Sequence, residues 1–117
     1  MSPREVDEAT LVGEAQPVCH VTLSPEQITA RTGLGFVTVE DDLDLLHRAA
    51  VEVEGLRFAL QRYDRNPVPG TEIICYDPGD PTSQARTVVT ELDILESVDS
   101  WWDGSRWRQG ELPAHAA

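Results

Sequence analysis

Asp42, Asp44 and His47 come nearest to a reactive set in this 117-residue chain. On a helix, an imidazole three residues after a carboxylate shares a face with it, which could begin a metal site or an acid/base pair. Nothing in the sequence completes such a site. There is no His-x-x-x-His, no Cys-x-x-Cys, no glycine-rich phosphate loop and no nucleophile elbow. Ser24 and Ser83 stand where helices are expected to start, which explains them as caps rather than nucleophiles. Cys19 and Cys75 are too few for a disulfide scaffold and fit small buried apolar side chains. The chain is therefore expected to be no enzyme, with no catalytic residue, metal or cofactor.

Two other groups could bind without reacting. Glu40, Asp41, Asp42 and Asp44 form an acidic cluster, and Trp101, Trp102, Arg106 and Trp107 form a tryptophan- and arginine-rich one. Trp and Arg are enriched in interface hot spots, although a tryptophan here could equally close the core. Twenty-one acids against nine basic residues give a formal net charge of -12, which disfavours phosphate-rich partners and favours basic ones. The same charge also serves solubility. No apolar run nears the ~20 residues of a membrane-spanning helix, and the first residues lack a signal peptide's apolar segment. A soluble cytoplasmic protein is expected.

The elements that would position these groups follow from patterning. Residues 1–17 are polar and irregular and read as a flexible arm, residues 18–107 as one domain, and residues 108–117 as a fraying tail. Val18 to Leu23 alternates as a short strand. Ser24-Pro25-Glu26-Gln27 spells a capped start for a helix from Pro25 to Arg31, which Gly33 ends. Phe36 to Val39 favours a strand by propensity, with Thr38 a rival helix cap.

From about Asp41 to Glu54, Leu43, Leu46, Ala50 and Val53 fall at helical spacing, and Asp44, Arg48 and Glu52 recur every four residues. That predicts an amphipathic helix whose acidic first turn complements the macrodipole. Leu56 to Tyr63 and Thr71 to Tyr76 predict an antiparallel hairpin joined by the Asp64 to Gly70 loop. After Asp80-Pro81, Val88, Leu92, Leu95 and Trp102 again follow helical spacing, with a strand over Thr87 to Ile94 as the competitor.

Residues 24 to 43, with Ile28, Ala30, Gly33, Leu34 and Val39 at core positions, resemble the helix-turn-helix segment of bacterial regulators. The order strand, helix, turn, helix, hairpin also resembles a winged helix with its wing at Asp64 to Gly70. That resemblance implies a DNA-binding transcriptional regulator. Its recognition helix would present Glu40, Asp41 and Asp42 to the DNA, each costing on the order of 1 kcal/mol beside a phosphate.

These readings predict a small α+β domain: an antiparallel sheet with a central hairpin at about 56–76, against two or three helices. The expected role is a non-catalytic acidic protein-interaction module, of the kind an inhibitor, immunity protein or antitoxin represents. It would bind a basic protein through Glu40, Asp41, Asp42, Asp44, Trp101, Trp102, Arg106 and Trp107. Nucleic acid and membrane are disfavoured as partners.

Overall fold

The computed structural model describes residues 3–113. Eight strands, β1 (Arg4–Glu5), β2 (Gln16–Val21), β3 (Val37–Asp41), β4 (Asp44–Val53), β5 (Leu56–Tyr63), β6 (Thr71–Cys75), β7 (Val98–Trp102) and β8 (Trp107–Gln109), form one sheet. The helices are α1 (Pro25–Thr32) and α2 (Pro81–Glu91). Neighbouring strands run β1-β4-β5-β6-β2-β7-β8, all antiparallel, and β3 lies beside β1 along the same edge of β4. The fold is α+β, with two helices packed on one face of the sheet.

Local chemistry explains both helices. The Ser24 hydroxyl accepts from the Gln27 N–H, the Gln27 side chain accepts from the Ser24 N–H, and Pro25 fills the first turn. Gly33 closes α1 at φ 80, a conformation that costs glycine little. Asp80 caps α2 through the Ser83 N–H, and Pro81 follows it. The core lies between the helices and one sheet face, where Val51, Val53, Phe58, Leu60, Ile73 and Val21 meet Ile28, Val88, Val89 and Ile94. Each large side chain buried there contributes about 1.5–3 kcal/mol gross. Cys19 and Cys75 are buried free thiols in the same cluster, and burial pushes both thiol pKa values up.

The segment expected to be a helix from Asp41 to Glu54 is instead the β3–β4 hairpin. Its helical stripe breaks up: Leu43 sits exposed in the turn, Ala50 shares a face with Leu46, and Val53 joins the core on the opposite face. The pattern that prevails has period two, with Ala49, Val51 and Val53 buried in succession and paired to Leu60, Phe58 and Leu56. The second face of β4 is only partly buried, but Leu46 and Ala50 add apolar residues out of that period and so mimic a helical spacing.

Because β3 occupies Val37–Asp41, the second helix of a helix-turn-helix is missing from this fold, and with it the geometry of a winged helix. Likewise α2 stops at Glu91, and Trp101 and Trp102, expected on its continuation, lie on β7. The hairpin expected at 56–76 is present as β5 and β6. Arg62 pins its loop by donating to the carbonyls of Asn66, Val68 and Gly70.

Residues 4–15, read from sequence as an arm, carry β1 and a 3-10 turn at Glu8–Thr10. They cross β5 and β6 on the face away from the helices to reach β2. Arg48 pairs with Glu8, and Arg57 donates to the carbonyls of Thr10 and Val12. The expected tail begins with the end of β8 and sends Leu112 into the core, where Arg86 holds the Pro113 carbonyl. Residues 114–117 of that expectation lie outside the described residues. No helix among the described residues is long and apolar enough to cross a membrane.

Candidate functional site

The acidic cluster sits at the tip of the β3–β4 hairpin. Asp42 and Leu43 form its two-residue turn at φ 50 and 69, the positive values such hairpins require. Neither is glycine, and for the leucine this conformation carries a steric cost of about 1–2 kcal/mol. Just below the turn Asp41 pairs directly with Asp44, a like-charge contact that destabilises a ladder on its own. Neighbours relieve it. The Tyr63 hydroxyl donates to Asp41 at 2.5 Å, and the N–H groups of Leu45 and Arg65 donate to Asp44 at 2.8 and 3.2 Å. The hydrogen bond to Asp41, followed by desolvation, raises the Tyr63 phenol pKa. Glu40 and Asp42 are exposed, and the described residues offer their side chains no polar partner.

Apolar side chains share the hairpin with these acids. Val37, Val39, Leu43 and Leu45 are 52, 40, 85 and 39% exposed, and they are four of the chain's exposed large apolar residues. By register Val37 and Val39 face one side and Leu45, opposite Glu40, faces the other, so with Leu43 at the turn they lend apolar surface to both faces of the hairpin. Glu40, Leu43, Asp44, Leu45, Asp64 and Arg65 line a shallow depression on it. Composition alone marked the acids. The apolar members, Asp64 and Tyr63 become visible only once β3, β4 and β5 are paired.

His47 does not face Asp44. One ring nitrogen lies 2.7 Å from the Thr38 hydroxyl and the other 2.6 Å from Asp64, so the ring ties β3, β4 and the loop after β5 together. A hydroxyl–imidazole–carboxylate series can polarise a hydroxyl, but acyl transfer also requires donors for a developing anion. Arg62 stands directly opposite His47 on β5, and Arg65 joins Glu40, Asp44 and Asp64 around the neighbouring depression. The arrangement serves as a clamp for the hairpin.

The tryptophans occupy the other edge of the sheet. Asp103 shapes the β7–β8 turn by accepting from the N–H groups of Ser105 and Arg106 and from the Arg108 guanidinium. The Arg106 N–H, then Arg108, hold its carboxyl far below the usual carboxylate range. Trp102 and Trp107 meet edge to face, centroids 6.0 Å apart, with Trp107 exposed at the rim. Trp101 packs against the core, its indole N–H buried without a partner among the described residues. Arg106 is exposed beside them. The eight residues singled out by sequence thus form two surfaces, on β3–β4 and on β7–β8, at opposite edges of the sheet.

Compared with family models, curated proteins and solved structures, the chain matches none.

Proposed function

We propose that this chain is a non-catalytic protein-interaction module that binds a basic protein, as inhibitors, immunity proteins and antitoxins do. The observation carrying this reading is the β3–β4 hairpin, where Glu40, Asp41, Asp42 and Asp44 are interleaved with exposed Val37, Val39, Leu43 and Leu45. Acids steer a cationic partner and suppress wrong ones, and apolar side chains supply area to bury once it has docked. A net charge of -12 extends the same field over the whole molecule. The Trp102–Trp107 edge, with Arg106, is a second contact surface for the same or another protein.

Affinity capture from the native host tests this. A variant carrying Glu40→Lys, Asp41→Lys and Asp42→Lys, with its fold verified by circular dichroism, should lose the captured protein. Individual changes at Trp102 and Trp107 report on the second edge. If the chain instead turned over a small molecule, and His47→Ala abolished that turnover with the fold intact, the proposal would be wrong.

A further inference from the structure

We infer that the free edge of β3 takes up an extended cationic segment of the partner as an added antiparallel or parallel strand. The inference rests on the proposed binding of a basic protein and names how that binding is made. Among the described residues no strand pairs with the far side of β3, while its near side is laddered to β4 without a break from Val37↔Arg48 to Asp41↔Asp44. In such a strand every second residue directs its N–H and C=O away from the ladder, so β3 presents a row of backbone groups to solvent.

Proteins usually blunt such edges with proline, lysine, a bulge or brevity. The other exposed edges obey this: β1 has two residues, and β8 has three including Arg108. β3 has five residues, all exposed, begins with the uncharged β-branched run Val37-Thr38-Val39, and contains no proline, lysine or bulge, its only charges being Glu40 and Asp41 at the turn end.

Charge decides the occupant. By register, Val37, Val39 and Asp41 share one face of the edge, and Thr38 and Glu40 share the other. Glu5, Asp7 and Glu8 border the depression at the Val37 end, and Asp42 follows at the turn. Of these, Glu5 accepts the Gly35 N–H and Glu8 pairs with Arg48. A second copy would bring this acidic rim against itself. A strand with apolar residues on one face and lysine or arginine on the other meets Val37 and Val39 with its apolar face and Glu40 with its basic one.

The test is titration of isotope-labelled protein with an acetylated, amidated peptide alternating lysine and valine, followed by amide shifts and hydrogen exchange. Slowed exchange at Val37 to Asp41 is expected, with cross-strand contacts to the peptide. N-methylating alternate peptide amides leaves every side chain and charge in place and should weaken binding at least about tenfold. A glutamate–valine peptide should not bind. Equal binding of the N-methylated peptide, or protection confined to residues outside β3, would overturn strand pairing while leaving the acidic hairpin as a charge-steered surface. Equal binding of the glutamate peptide would overturn both readings. Self-association through β3 that excludes the lysine peptide would show a second copy as occupant and overturn this inference alone.

Discussion

Tyr63 donates its hydroxyl to Asp41 at 2.5 Å, joining β5 to the acidic tip of the β3–β4 hairpin. Ionising the phenol would set a second negative charge beside Asp41, so the phenol pKa is raised in the folded chain, first by that hydrogen bond. A pKa raised on folding adds stability that is present below the phenol's ordinary value of about 10 and is lost as pH climbs through the raised value. Tyr63→Phe should cost about 0.5–1 kcal/mol at neutral pH and flatten the alkaline limb. Urea melts of both proteins across that range measure it.

Leu43 offers a test whose sign separates hairpin from helix. It is 85% exposed at φ 69, so Leu43→Gly gives up no burial and relieves a left-handed residue. It also creates the Asp-Gly pair favoured in such turns. The substitution should stabilise the fold by roughly 0.5–1 kcal/mol, whereas in a helix it would cost about as much. Thermal melts distinguish the two outcomes.

Asp77 anchors the end of β6 to β5. It accepts from the backbone N–H of Arg57 at 2.7 Å and from the guanidinium at 3.0 Å, and the Arg57 side chain is the main cause of its lowered pKa. A pKa lowered on folding adds stability that is present above the unfolded value of about 4 and is lost as pH falls through the lower folded value. Asp77→Asn should therefore lower the melting temperature at neutral pH and shrink the loss of stability below about pH 4. A melting series into acid checks both parts.

The C-terminal segment belongs to the fold through Leu112, which is 8% exposed and part of the core cluster. Leu112→Ala should destabilise by about 2–4 kcal/mol. Chemical denaturation would return no change if the segment merely frayed.

Sequence made part of this molecule legible. Wherever structure is written locally it could be read: Ser24 to Gln27 and Gly33 bound α1, Asp80-Pro81 opens α2, alternation marks β5, and β-forming residues mark β6. The β3–β4 hairpin was obscured because Leu45-Leu46 and Ala49-Ala50 place apolar residues on both faces of β4 and blur its period. The available signal was Ala49, Val51 and Val53 alternating up to Glu54-Gly55, with Leu56 and Phe58 resuming beyond. Glu54 and Gly55 are at φ 54 and 78, so this pair makes a tight hairpin turn where a helix end was expected. The acids and tryptophans stood out by composition. Their placement on opposite edges, and the gathering of Tyr63, Asp64 and the exposed valines around the acids, depend on long-range strand order that local patterning does not contain.

The most direct measurement is photo-cross-linking in the native host, with the reactive residue placed at Leu43 and, separately, at Trp107. Both positions are exposed, so neither perturbs the core. The account predicts that the Leu43 probe joins the chain to one protein of basic character, and that Glu40→Lys with Asp42→Lys abolishes the adduct. A Leu43 probe that captures nothing, or whose adduct survives those charge reversals, would contradict it.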